Sequence, residues 1–147
     1  MDACLGLGLR IYQPYHQAVL AEAHLQAGEA QIGLDVVEEA LRFVTESGVR
    51  FWEAELRRLK GTLLIQLASG EAQEEAEAYY REALNVARHQ QAKSLELRAA
   101  MSLARLWRNQ GRHDKARDLL APIYGWFIEG FETPDLRDAK AVLDELS

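Results

Sequence analysis

Three arginines stand close together in one helical stretch of an otherwise acidic chain. Arg98 and Arg105 are seven residues apart and Arg108 follows three residues later, spacings that place side chains on one face of an α-helix. A guanidinium donates paired hydrogen bonds to carboxylates and other anions. The spacing therefore predicts either a strip that holds an acidic peptide or anionic ligand, or ion pairs with acids of adjacent helices such as Glu55 and Glu96.

The residue types that commonly carry catalysis or bind metals are poorly spaced for either task. The four histidines are His16, His24, His89 and His113. No HExxH pair occurs, and the first two histidines are eight residues apart, too far for one metal on one helix. The single cysteine, Cys4, has no neighbouring histidine or basic residue to activate it. We therefore expect a protein that is not an enzyme and has no catalytic residue, metal or cofactor.

Motifs for phosphate and calcium are also missing from the sequence. No GxxxxGK[ST] loop occurs, and residues 6–8 are a lone Gly-x-Gly without a preceding strand. The acidic run at 71–77 lacks the spacing of a calcium loop. It is typical of a helix start, where the helix dipole favours acids.

Composition indicates one helical domain. The chain has 147 residues, 48% of them apolar, three prolines and a net charge of −6. A nucleic-acid binder would be expected to carry a basic surplus, so we expect no nucleic-acid partner. No apolar stretch has the roughly 18–20 residues of a membrane span, and the first residues make a poor signal peptide. Together with one cysteine, this predicts no membrane partner and a cytoplasmic protein.

A block with a small-x3-large-x2-small/apolar frame recurs three times along the chain. Its copies are Gly33-x3-Val37-x2-Ala40-Leu41, Ala76-x3-Tyr80-x2-Ala83-Leu84 and Ala116-x3-Leu120-x2-Ile123-Tyr124. The copies begin 43 and 40 residues apart. A repeat of this length, built only from helical patterns, predicts helix pairs stacked on one another.

Helical periodicity divides the chain into three pairs and a last single helix. The pairs are predicted over 14–48, 50–90 and 93–128, with a capping helix over 133–147 and an N-terminal remnant or incomplete helix over 1–13. Leu20, Ala23 and Ala27 predict the packed face of the first helix. Pro122 predicts a kink or an early end in the sixth. Because arrays need caps at both ends, the uncapped N-terminus predicts either a longer natural chain or self-association.

These positions resemble the tetratricopeptide repeat. That motif places a small residue within its first helix, as at Ala21, Gly61 and Ala104, and a glycine at the turn, as at Gly28 and Gly111. The repeated block supplies the small and large positions of the second helix. The resemblance implies an all-α, right-handed α-solenoid of about three helix hairpins plus a C-terminal capping helix.

A tighter resemblance runs through most of the chain. The strings that carry it are Pro14-Tyr15, Leu20-Ala21-Glu22-Ala23, Glu53-Ala54-Glu55-Leu56, Arg58-Leu59-Lys60-Gly61, Ser94-Leu95-Glu96-Leu97-Arg98-Ala99-Ala100 and Leu120-Ala121-Pro122-Ile123-Tyr124-Gly125-Trp126-Phe127. They are similar to the C-terminal repeat region of large bacterial signalling proteins, in which that region follows a P-loop ATPase and often a cyclase or DNA-binding domain. The resemblance implies a non-catalytic regulatory or sensor module. Its partners would be a protein or peptide and the upstream ATPase or cyclase domains.

The repeat frame predicts which side chains line the inner groove. They are Tyr15, Val19, Glu22 and Gln26 from the first pair, Glu55, Arg58, Thr62 and Gln66 from the second, and Arg98, Ser102, Arg105, Arg108 and Asn109 from the third. We expect this groove to bind a protein or peptide, and the arginines favour an acidic one.

An aromatic cluster precedes the last helix. Trp126, Phe127 and Phe131 are predicted either to pack beneath that helix or to form a docking patch for a preceding domain or a second subunit. The alternative to a groove-binding module is therefore a self-associating scaffold, a homodimer formed through the uncapped N-terminus or through this patch.

Overall fold

The structure is a computed structural model that describes residues 13–68 and 71–146. Within those ranges the chain is all-α, as predicted, with seven helices. They are α1 (Gln13–Gln26), α2 (Ala30–Ser47), α3 (Glu53–Ala68), α4 (Gln73–His89), α5 (Lys93–Asn109), α6 (His113–Gly125) and α7 (Pro134–Leu146).

Short turns reverse the chain between the helices. Gly28, between α1 and α2, has φ +79°, and Gly111, between α5 and α6, has φ +80°. This left-handed backbone favours glycine because it has no Cβ. The predicted turn glycines therefore end the first helix of two pairs.

Each helix packs mainly on its neighbours in sequence, an arrangement consistent with a helical repeat. Contacts join every consecutive pair of helices, and α1 also contacts α3, α3 contacts α5, and α5 contacts α7. In the described part of the chain no contact joins α2 to α4 or α4 to α6. The odd-numbered helices therefore lie closer to one another than the even-numbered helices do.

The core has two parts along the array. Leu56, Leu59 and Leu63 of α3 are fully buried against α1 and α2, and a second cluster joins α4 to α7. Small residues let the helices approach. A Cβ at Gly33 would stand 2.8 Å from Leu63 Cδ2, and one at Gly61 would stand 2.8 Å from Tyr80 Cε1. The small positions of the predicted repeat are thus packing contacts.

The predicted packed face of α1 is wrong. Its buried residues are Pro14, Ala18 and Ala21, whereas Leu20 is 48% exposed and Ala23 and Ala27 are also exposed. The physical reason is that α1 contacts α2 and α3 on one side. No described helix covers the opposite side.

Leu67 and Pro122 both lie near the C-terminal ends of their helices. Leu67 is 46% exposed near the end of α3, and Pro122, predicted to kink the sixth helix or end it early, lies inside α6. α6 continues through Pro122 and ends three residues later at Gly125. The predicted remnant over 1–13 falls almost wholly outside the described residues.

Candidate functional site

The predicted groove residues lie on α1, α3 and α5, three helices that contact one another in turn. Glu55 of α3 is central among them, with only 5% of its surface exposed. It forms ion pairs with Arg58 of its own helix and with Arg98 of α5. A buried carboxylate needs such partners, because an unpaired charge away from water is very costly.

Arg58 and Arg98 extend this contact to neighbouring helices. Arg58 Nη1 donates a hydrogen bond of 3.2 Å to Ser102 Oγ. Arg98 lies 3.6 Å from Glu22 Oε1 of α1 and 3.7 Å from Asp135 Oδ1 of α7. One polar network therefore links all four odd-numbered helices. We call its members, Glu22, Glu55, Arg58, Arg98, Ser102 and Asp135, the inner network.

Asp135 was missing from the predicted groove. Its sequence signal is the Thr133-Pro134-Asp135 start of the last helix, which predicts an acid in the first turn but not the residue it contacts. In the structure the first turn of α7 brings that acid to Arg98.

A hydroxyl pair lies beside the inner network. Thr62 Oγ1 and the Tyr80 hydroxyl share a hydrogen bond of 2.8 Å. Burial raises the pKa of Tyr80, while the Thr62 hydrogen bond and the positive charges of Arg58 and Arg105 partly offset that rise. Tyr80 comes from α4 and packs against Gly61 of α3, so its hydroxyl reaches Thr62 of the same helix. Sequence patterns identified Tyr80 only as a core residue.

Arg105 differs from the other two arginines of the predicted strip. It is partly buried, its charge acts on Tyr80, and its side chain has no hydrogen bond or ion pair among the described residues. Arg108, by contrast, forms an ion pair with Glu145 of α7 and a hydrogen bond of 3.4 Å with Asn109. Arg98 is paired within the inner network. Arg105 is therefore the arginine with donors left for another group.

Of the remaining groove positions, Gln26, Gln66 and Asn109 lie near the C-terminal ends of their helices, Tyr15 near the start of α1 and Val19 in its middle. Gln66 Nε2 donates a hydrogen bond of 3.2 Å to the carbonyl oxygen of Leu25. The Tyr15 ring stands 5.0 Å from that of Trp52. Val19 is 52% exposed, and Gln26 and Asn109 are exposed as well.

The residues of the predicted aromatic patch, Trp126, Phe127 and Phe131, differ in exposure, and Phe127 is partly buried. Phe127 packs against the core cluster that includes Leu136, and Trp126 contacts it edge-on at 5.2 Å between ring centres. Trp126 itself is 57% exposed and Phe131 is 44% exposed, with Tyr124 at 5.9 Å from the Phe131 ring.

Two more buried carboxylates lie in the first turns of α3 and α5. Glu53 accepts hydrogen bonds of 2.9–3.2 Å from Arg50 and Arg57. Burial alone would raise the pKa of Glu53, but these hydrogen bonds and the arginine charges outweigh it and hold the pKa below its usual value. Glu96, the predicted alternative partner of the strip arginines, instead binds Arg88 at 3.0 Å and Lys93 at 3.3 Å.

Within the described ranges no cluster of three or more histidine, cysteine, aspartate or glutamate residues could hold a metal ion. None of the helices described is long and apolar enough to cross a membrane. Cys4 lies outside the described residues. No protein-family model matches the chain, and no curated protein matches it. The helix packing and polar contacts above are therefore the basis for any functional conclusion.

Proposed function

We propose that this chain is a non-catalytic interaction module, a tetratricopeptide-like α-solenoid that binds an acidic protein or peptide segment on its inner surface. The repeated small positions support the repeat assignment, since Ala21, Gly61 and Ala104 are all buried at helix contacts. The contacts among the odd-numbered helices support the proposed solenoid shape. A row of helices that touch one another, backed by a row that does not, curves towards the touching row.

The surroundings of the Arg105 side chain are the observation that supports the proposed ligand class. The positive charge of Arg105 acts on the Tyr80 hydroxyl, which shares a hydrogen bond with Thr62, and its side chain has no hydrogen bond or ion pair among the described residues. A guanidinium in such a place offers donors to a carboxylate. Arg58 and Arg98 are bound to Glu55, so they position the surface while Arg105 meets the ligand.

By its resemblance to bacterial cyclase, ATPase and regulator proteins, the module would act as their C-terminal regulatory region. Binding of the acidic segment would then bias upstream domains of the same or a longer chain. Such a role requires no chemistry from the module itself.

Binding of fluorescein-labelled hexaglutamate, followed by fluorescence anisotropy, tests this proposal. We expect Arg105→Glu to weaken binding by about tenfold, the effect of roughly 1.4 kcal/mol. Arg42→Glu is the matched control, because Arg42 is an exposed arginine of α2 and the change alters net charge equally. Equal weakening by both variants would indicate a non-specific charge effect and would overturn the proposal, as would absence of binding to the wild-type protein.

A self-associating scaffold is the second candidate, and exposed apolar side chains of the first two helices favour it. Leu20 of α1 is 48% exposed and Ile32 of α2 is 47% exposed. A second copy that covered these side chains would bury apolar surface now in water. Light scattering across a concentration series tests it. A dimer that Leu20→Glu converts to a monomer would support this candidate, and a wild-type monomer at all concentrations would exclude it.

A further inference from the structure

A second surface lies along the edge of the molecule where α3 and α5 begin and the chain turns into α7. One cavity of about 560 Å³ is lined there by Phe51, Trp52, Ser94 and Leu95, with further residues at its rim. Another of about 500 Å³ is lined by Ser94, Trp126, Phe127, Ile128 and others. Ser94 belongs to both walls, so the two cavities are adjacent. We call this surface the helix-start edge.

Large apolar side chains at this edge are unusually open to water. Phe51 is 78% exposed, Ile128 is 90% exposed and Trp126 is 57% exposed. Covering these side chains would remove apolar surface from water, which is favourable. A group of such side chains around cavities of this volume is typical of a binding surface rather than of isolated surface residues.

The charges at the helix-start edge are arranged with cations outside and carboxylates beneath. Arg88 and Lys93 have side chains 48% and 38% exposed, whereas the side chain of Glu96, which both of them contact, is only 6% exposed. Arg50 repeats the pattern at the start of α3, with a side chain 55% exposed above the buried Glu53.

These cations lie next to the apolar cavities. Arg88, Lys93 and Trp126 share the wall of a further cavity of about 560 Å³, and Lys93 Nζ stands 5.2 Å from the centre of the Trp126 ring. Glu129 is a single acid on the wall of the second apolar cavity. A ligand lying across the edge would therefore meet more exposed positive charge than negative charge, although the chain as a whole is acidic.

We infer that the helix-start edge docks an extended peptide segment in which apolar side chains flank acidic ones. The apolar side chains enter the two cavities beside Phe51 and Trp126, and the acids face Arg88 and Lys93. Charge complementarity selects the acids, and the paired cavities select the apolar side chains on either side. The two apolar cavities have no lining residue in common with the inner network and are not lined by Arg105, so the inference does not depend on the proposed function.

The three tryptophans allow a direct test by NMR, since each contributes one indole N–H signal. Trp52 lines the first cavity and Trp126 lines the second, while Trp107 is 3% exposed in the core and serves as an internal control. The probes are acetylated peptide amides with two phenylalanines separated by two, three or four glutamates. Their counterparts carry lysine instead of glutamate, or alanine instead of phenylalanine.

We expect a glutamate-containing phenylalanine peptide to shift the Trp52 and Trp126 signals in a saturable way and to leave Trp107 unchanged. Replacing its phenylalanines by alanine should weaken binding about tenfold, in keeping with loss of apolar burial. The lysine peptides should bind at least about threefold more weakly, the effect of an exposed charge contact.

Two protein variants separate this surface from the rest of the molecule. Phe51→Ala should weaken binding about tenfold, whereas Leu67→Ala, which truncates a half-exposed apolar side chain at the opposite end of α3, should not change it. Arg105→Glu should also leave it unchanged. Three results would overturn the inference. They are lysine peptides that bind as well as glutamate peptides, an equal loss of affinity in Phe51→Ala and Leu67→Ala, and the absence of any indole shift with every probe.

Discussion

Arg98 of α5 forms an ion pair with Glu55 of α3, and this contact joins two helices that are not consecutive in the chain. Glu55 is 5% exposed, and it also binds Arg58. An anionic ligand that approached Arg98 would have to compete with a carboxylate already in place. The contact thus gives Arg98 a structural role. Of the three arginines of the predicted strip, only Arg105 has a side chain without a hydrogen bond or ion pair to the described residues.

Glu55→Gln should destabilise the protein more than the loss of an ordinary surface charge. The change leaves Arg58 and Arg98, whose side chains are 11% and 28% exposed, without their shared carboxylate. We expect the free energy of unfolding to fall by about 1–3 kcal/mol, as when a partly buried charged hydrogen-bond partner is removed. Urea unfolding measures it.

Glu38→Gln is the matched control for that change. Glu38 is 45% exposed and forms one ion pair, at 3.7 Å, with Lys60. Its loss should alter the free energy of unfolding by less than about 0.5 kcal/mol. Equal effects of the two substitutions would mean that the inner network does not hold the helices together.

Gly61→Ala should destabilise the contact between α3 and α4. The added Cβ would stand 2.8 Å from Tyr80 Cε1 and 3.1 Å from the backbone oxygen of Ala76, so the helices or the ring must move. Overpacking of this kind costs about 1–3 kcal/mol. The same change at Gly125, where no atom lies within 4 Å, should stabilise α6 by up to about 1 kcal/mol. Thermal unfolding distinguishes the two variants. A higher melting temperature in both of them would contradict the packing described.

The stability of the protein should fall in acid partly through Glu53. Its folded pKa lies below the usual 4.5 because Arg57 and Arg50 outweigh the effect of burial. Its contribution is therefore complete above about pH 4.5, the unfolded value, and is lost as pH falls through the lower folded pKa. Glu53→Gln should be less stable than wild type at pH 7, and the difference should shrink towards pH 3. Melting temperatures across that range measure it, and a constant difference would refute the assignment.

The helix pairs and their small contact residues could be predicted because they depend on local spacing. Gly61 and Tyr80 are an example, since Tyr80 belongs to the repeated block and Gly61 to the small first-helix position of the tetratricopeptide resemblance. The ion pair of Arg98 with Glu55 was among the predicted alternatives. Its contact with Asp135 could not be predicted, because Asp135 reaches it only through the position of α7 on α5. The buried face of α1 was mispredicted for a related reason, since Leu20 and Ala21 are both apolar and only the neighbours of α1 decide which of them is covered.

Mapping by NMR of the backbone amides that shift when hexaglutamate binds is the measurement to make first. If the odd-numbered helices bind acidic segments, saturable shifts should gather on α3 and α5 around Thr62, Ser102 and Arg105. Arg105→Glu should raise the hexaglutamate concentration needed for half-maximal shifts about tenfold, the effect of roughly 1.4 kcal/mol, and Arg42→Glu should raise it less. Shifts that gather on α2, α4 or α6, or shifts that persist unchanged in Arg105→Glu, would contradict binding at the inner surface.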